Sequence, residues 1–184
     1  MLTLVIMSVI YPYHIITGPP SSGKSTVINE LSNRGYNSHK EVARIIIKEN
    51  QINGVNHFPW KNMAMFSEQV FNRITDNLKS LNGEFCFFDR SIIDLIAYLE
   101  LNDIYDNEKY KNEILTTGYQ KNVFYLPFWE KIYLHDLERK ESKEEAINIG
   151  KQLKKVYSEL GFNLIEVPYG NLNERVDFIL NTIL

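Results

Sequence analysis

Gly18-Pro19-Pro20-Ser21-Ser22-Gly23-Lys24-Ser25 fills every fixed position of the pattern G-x-x-x-x-G-K-[ST]. Just before it, Tyr13 to Thr17 reads as a short strand; just after it, residues 23–34 read as a helix closed by Gly35. Strand, glycine-bounded loop and helix N-terminus in that order make a cradle for an anion. The glycines let successive backbone N–H groups turn toward one centre, and the helix dipole adds positive potential there. Lys24 can reach outer phosphates, and the Ser25 hydroxyl can join the coordination shell of Mg²⁺. The loop therefore implies a bound nucleoside triphosphate, touched by Gly18, Pro19, Pro20, Ser21, Ser22, Gly23, Lys24, Ser25 and Thr26. The plain alternative is a glycine-rich turn that binds nothing.

The alternation of strand and helix continues outward from the loop. Residues 36–39 can form a brief second strand, 42–49 a helix and 51–59 a polar loop broken by Gly54 and Pro59. Phe66, Val70, Ile74, Leu78 and Leu81 recur at helical spacing, which predicts a long amphipathic helix over 61–81. Residues 85–88 are an apolar run of the kind found in strands covered on both faces, and a helix follows over 91–101. After a tyrosine-containing polar stretch with room for a short helix before Gly118 come a strand over 123–126, a charged helix over 142–160, a strand over 162–167 and a last helix over 172–183. This order predicts an α/β fold, a three-layer α/β/α arrangement around a mostly parallel five-stranded sheet, with ligands at the carboxyl ends of the strands.

Composition narrows the function classes. The chain has 184 residues, 44% of them apolar, and a formal charge of −3. That size suits one domain, residues 13–184, behind an N-terminal extension at 1–12, and it is small for a mechanical ATPase with a second helical subdomain. A slightly acidic balance gives no electrostatic reason to expect nucleic acid or an anionic membrane as partner. The apolar start lacks a basic flank and is interrupted too soon to span a membrane. The single cysteine, Cys86, sits in an apolar run and reads as a packing residue in a reducing cytoplasm. The four histidines are too scattered to suggest a metal cluster. Neither the Asp-x-x-Gly switch nor the [Asn/Thr]-Lys-x-Asp guanine reader of a P-loop GTPase occurs.

Residues 17–26, Glu41-Val42-Ala43-Arg44, Phe88-Asp89-Arg90-Ser91 with Asp94 and Tyr98 following, and Asp136-Leu137-Glu138-Arg139 form an ordered set over about residues 13–184. As a set they resemble the P-loop AAA-type ATPase/kinase family that includes the ribosylnicotinamide kinase domain of bacterial NAD regulators and, more distantly, the deoxynucleoside kinases. The resemblance implies a nucleotide-kinase-like P-loop NTPase that uses ATP and Mg²⁺ and acts on a small-molecule acceptor.

It implies roles residue by residue. Asp89 would hold Mg²⁺ opposite Ser25, or merely cap the helix that follows. Arg90 would face the phosphates or the acceptor. Glu41 would take the proton of the acceptor hydroxyl, or serve as a first-turn glutamate. Arg44, one turn on, would bind an anionic acceptor group or pair with Glu41. Arg139 would belong to a lid closing over the triphosphate, or to an exposed salt-bridged helix start. Trp60, Phe58, Gln69 and Arg73 fall by analogy where an acceptor pocket forms. The resulting expectation is a cytoplasmic kinase that transfers the γ-phosphate of ATP to a nucleoside- or nucleotide-like acceptor. A nucleotide-dependent regulatory ATPase with slow hydrolysis is the rival, and a catalytically dead nucleotide-binding module is a third possibility.

Overall fold

The computed structural model describes residues 13–132 and 141–183. Five strands, β1 (Tyr13–Thr17), β2 (Ser38–His39), β3 (Cys86–Asp89), β4 (Asn122–Tyr125) and β5 (Asn163–Glu166), lie in the order β2-β3-β1-β4-β5. Every pairing is parallel. The helices among the described residues are α1 (Lys24–Asn33), α2 (Val42–Asn53), α3 (Met63–Ser80), α4 (Ile92–Glu100), α5 (Glu108–Ile114), α6 (Lys143–Glu159) and α7 (Leu172–Ile183).

The central strands alternate between two cores because successive side chains leave a strand on opposite faces. Tyr13, Ile15, Cys86, Phe88, Val123 and Tyr125 join the core packed by α2, α3, α4 and α6. Ile16, Phe87 and Phe124 join the core packed by α1 and α7. A sheet covered on both faces needs strands that are apolar throughout, which is why residues 86–88 show no polar alternation. Cys86 is fully buried as a free thiol, in keeping with a packing role.

Local signals set the helix ends. Ser91 caps α4 and Ser142 caps α6, each in a capping box with the acidic residue three positions on, Asp94 and Glu145. Helix α3 starts two residues later than its apolar stripe suggests because the Asn62 side chain accepts the Met65 N–H at 3.1 Å. Helix α2 takes in the first three residues of the stretch 51–59 expected to be a loop, ending at Asn53. Gln51 and Asn53 are exposed on it, and the chain stops only where Gly54 adopts φ 66°.

Candidate nucleotide and acceptor site

The glycine-bounded stretch Gly18 to Ser25 joins β1 to α1 at the carboxyl end of the central strand. Gly18 has φ 148°, and a Cβ there would lie 2.1 Å from the Leu126 carbonyl oxygen, so only glycine fits. Four of the loop's carbonyls accept hydrogen bonds. Arg90 Nη1 donates to Gly18 O at 3.3 Å, Lys24 Nζ to Pro19 O at 2.8 Å, the Trp129 N–H to Ser21 O at 3.3 Å and Arg175 Nη2 to Ser22 O at 3.0 Å. Peptide groups are planar, and no bond here is cis. Trp129 and Arg175 do not line the cavity of about 130 Å³ that Pro20 to Thr26 line, so their bonds to Ser21 O and Ser22 O turn the N–H groups of Ser22 and Gly23 toward it.

Lys24 is 5% exposed and also donates to Ser22 Oγ at 3.1 Å. Burial and then the neighbouring Arg90 charge push its pKa down to about 7, against the pull of Asp89, Glu41 and Asp94. Asp89 ends β3 beside the loop, and its Oδ2 accepts the Ser25 hydroxyl at 3.3 Å. Its other oxygen, Oδ1, is buried with no partner among the described residues. Burial, followed by the Glu41 charge, raises the Asp89 pKa to about 6. No group of three or more His, Cys, Asp or Glu side chains that could hold a metal occurs among the described residues. An orphaned carboxylate oxygen next to a hydroxyl nevertheless fits Mg²⁺, which takes one or two protein oxygens and completes its shell with phosphates and water. Ser91, rather than Asp89, does the capping of α4.

Sheet register explains how Glu41 and Arg90 meet. Strands β2 and β3 run parallel with His39 opposite Phe88, so two residues further on Glu41 stands opposite Arg90. Arg90 Nε donates to Glu41 Oε1 at 2.9 Å, with the two side chains only 11% and 13% exposed. Arg44 Nε holds the other Glu41 oxygen at 3.0 Å. Burial favours the protonated form of Glu41, but Arg90, Lys24 and Arg44 together outweigh it and hold the carboxyl below its usual pKa. Of its two alternatives, Arg44 pairs with Glu41 and lines the small cavity.

Beside the small cavity lies a larger one of about 530 Å³. Its walls come chiefly from apolar side chains of α2, α3, β3 and α4, among them Phe66, Val70, Ile74, Phe88 and Leu95. Glu41, Ala43, Ile47, Arg90, Tyr98 and Glu141 line both cavities and so form the junction between them. Trp60 lines the large cavity, but the other three residues placed there by analogy do not. Phe58 stacks on Trp60 with ring centres 5.0 Å apart, Gln69 accepts a hydrogen bond from Asn50, and Arg73 forms a two-pronged surface pair with Glu49. Arg139, with the rest of Asp136-Leu137-Glu138-Arg139, lies outside the described residues.

The sequence pattern of the AAA domain family matches residues 13–175. The chain belongs to this AAA domain family. Among solved structures, the AAA domain chain is similar to deoxyadenosine kinase from M. mycoides with products dcmp and a flexible dcdp bound. That match has 19% identity and a TM-score of 0.66, over 93% of this chain and 98% of that one. It is also similar to NadR protein in complex with NR, at 14% identity and a TM-score of 0.68; 95% of this chain matches 51% of that one, so it spans about half of NadR. Shikimate kinase from Aquifex aeolicus vf5 matches at 19% identity and a TM-score of 0.56, over 93% of this chain and 95% of that one. No curated protein matches. At such identities the likeness is one of fold, the three-layer α/β/α fold.

Two further features of the AAA domain site have little or no signal in the sequence. Asp94, 2% exposed, accepts hydrogen bonds from Thr17 Oγ1 (2.7 Å), Tyr157 Oη (2.6 Å), Ser91 N (2.9 Å), Ser91 Oγ (3.2 Å) and Arg90 Nη1 (3.4 Å). Its signal was the Ser91-x-x-Asp94 spacing, which announces a capping box but not the other partners. Arg175 and Trp129 carried no signal, since they reach the loop only through tertiary packing.

Proposed function

We propose that this AAA domain chain is a Mg²⁺–ATP-dependent small-molecule kinase with a nucleoside-like acceptor. The observation that carries this reading is the pair of adjoining cavities, one a phosphate cradle and the other apolar, with Glu41, Arg90 and Tyr98 among the residues they share at their junction. A regulatory ATPase needs the cradle alone. The second cavity, of about 530 Å³, has a size suited to a small organic molecule.

Phosphoryl transfer is mostly positioning and charge neutralisation. Loop N–H groups and Lys24 would cradle the outer phosphates. Held between Ser25 and Asp89, Mg²⁺ would supply Lewis-acid neutralisation of the phosphate oxygens. Arg90, fixed by Glu41 and Asp94, aims its charge at the junction. Glu41 would orient the acceptor hydroxyl and take its proton late. Arg90, Lys24 and Arg44 keep it ionised at neutral pH, which makes it a weak base and a firm hydrogen-bond acceptor. Glu41→Gln is therefore expected to lower kcat about 10²-fold with little change in the KM for ATP. An unchanged kcat in steady-state kinetics would remove Glu41 from the reaction.

The cavity walls favour a nucleoside over an already phosphorylated acceptor. Arg90 is committed to Glu41 and Asp94, Lys40 is exposed, and neutral Ser67, Asn77, Asn102 and Asn148 provide further polar lining. Ser67 Oγ is buried and has no partner among the described residues, leaving a hydroxyl for a base edge. The test is to compare nucleosides with their monophosphates as acceptors; better turnover of the monophosphates would contradict this choice. A cytoplasmic setting fits the free Cys86 thiol, and no helix among the described residues is long and apolar enough to cross a membrane.

Asp89 gives the pH dependence. With its pKa near 6, the carboxyl is mostly ionised at pH 7 and takes up a proton as pH falls through 6. Protons and metal then compete for it, so the acid limb of kcat/KM is expected near pH 6 and should move to lower pH as Mg²⁺ is raised. An acid limb indifferent to Mg²⁺ concentration would assign it to another group.

A further inference from the structure

Arg175 sits in the first turn of α7 and is 3% exposed, yet among the described residues no carboxylate pairs with it. Its Nη2 donates to Ser22 O at 3.0 Å, its guanidinium lies 5.3 Å from the centre of the Trp129 ring, and Nε has no partner. A buried cation without a counter-charge costs folding free energy, so the position calls for a compensating interaction. The neighbouring geometry points to it. A Cβ on Gly23 would lie 2.7 Å from Arg175 Nη1, which puts the guanidinium directly behind the turn from the loop into α1. Gly23, with φ 83°, leaves room for that approach as well as for the left-handed turn.

The hydrogen bond to Ser22 O has a directional consequence. In a trans peptide the carbonyl and the next N–H point opposite ways, so holding the Ser22 carbonyl toward Arg175 aims the Gly23 N–H into the cradle. Trp129, whose ring lies under the guanidinium, does the same one residue earlier by donating its own N–H to Ser21 O at 3.3 Å. Its ring is in turn packed on Tyr169, which donates to Phe128 O at 2.9 Å. Two consecutive loop peptides are thus anchored from the face opposite the phosphates, one by a charged fork and one by the backbone beneath it.

We propose that Arg175 is a positioning residue for nucleotide binding: from the C-terminal helix it fixes the Ser22 peptide and supplies positive charge behind the cradle, so that its burial is compensated when a polyphosphate occupies the loop. This rests on the phosphate-binding reading of the loop and not on which acceptor is used. It separates Arg175 from a residue that merely docks α7, because docking depends on the apolar stem and the Trp129 contact, which a methionine retains.

The test is calorimetric titration of the full chain with Mg²⁺–ATP and with tripolyphosphate, which has no base, using wild type, Arg175→Met and Arg175→Lys, with thermal unfolding of each recorded alongside. Arg175→Met is expected to weaken both ligands by about tenfold or more. Arg175→Lys, which keeps the charge and loses the fork, should fall between Arg175→Met and wild type. Affinities of Arg175→Met within twofold of wild type would overturn the proposal. If Arg175→Met does not fold, Arg175→Lys decides: several-fold weaker tripolyphosphate binding supports the proposal, and wild-type affinity overturns it. A wild-type chain that binds neither polyphosphate would overturn the phosphate-loop reading and this proposal together. A chain that binds both, with the Arg175 effect present but no phosphoryl transfer, would overturn only the kinase reading.

Discussion

Lys24→Met is expected to lower kcat/KM for phosphoryl transfer by about 10²–10³-fold while leaving the melting temperature unchanged or raised. The two effects have opposite origins. In catalysis Lys24 would bring the one flexible cation of the loop to the outer phosphates. In the free protein the same group is a burial penalty, and its lowered pKa, near 7 against an ordinary 10.5, expresses that penalty. Below about pH 7 Lys24 is protonated in folded and unfolded chains alike, so the penalty is fully present. As pH rises from 7 toward 10.5 the folded state releases its proton first, and the penalty fades. Stabilisation by Lys24→Met should accordingly be largest at or below neutral pH and shrink in alkaline buffer. Calorimetric melting at two pH values together with steady-state kinetics checks both halves. Loss of activity accompanied by a large fall in melting temperature would mean that Lys24 holds the loop together, not the phosphates.

Asp94→Ala should give the largest loss of stability among single changes near the site. It would leave the buried Thr17 hydroxyl and Ser91 N–H without their acceptor, the Tyr157 hydroxyl with Ser91 Oγ as its remaining partner, and Arg90 with Glu41 as its remaining carboxylate partner. Breaking a buried charged network costs about 3–5 kcal/mol, and in a chain of this size that is a fall on the order of 10 °C in melting temperature. Asp94→Asn should recover only part of it, because an amide presents a donor where the neighbours need an acceptor. Activity should fall in both variants, since Arg90 loses one of the two groups that aim it. A wild-type melting temperature for Asp94→Ala would show that the five contacts do not act as a unit.

The fold was legible in the sequence because its signals are local. The Gly18 to Ser25 pattern, the apolar run at 86–88 and the Ser142 capping position are each decided within a few residues. The turn of the Gly18 to Ser25 loop into α1 was legible for the same reason, since its residues are contiguous. Glu41 and Arg90, by contrast, are 49 positions apart and meet only through the register of β2 against β3. Arg175 lies 153 positions from Ser22, and its contact depends on how α7 packs against α1. The analogy that put Gln69 and Arg73 in the acceptor pocket failed because helix α3 turns them toward Asn50 and Glu49 of α2 instead. Periodicity identified the buried stripe of that helix, but the partners of its flanks depend on where α2 ends, and α2 ends later than Gln51 and Asn53 suggested.

The kinase reading is tested most directly by incubating the chain with Mg²⁺–ATP and a panel of nucleosides, including pyridine ribosides, and following products by mass spectrometry. The expected result is one or a few nucleosides gaining a single phosphoryl group in equal measure with ADP formation. ADP released at the same rate with every member of the panel and with none, and no phosphorylated nucleoside, would contradict it.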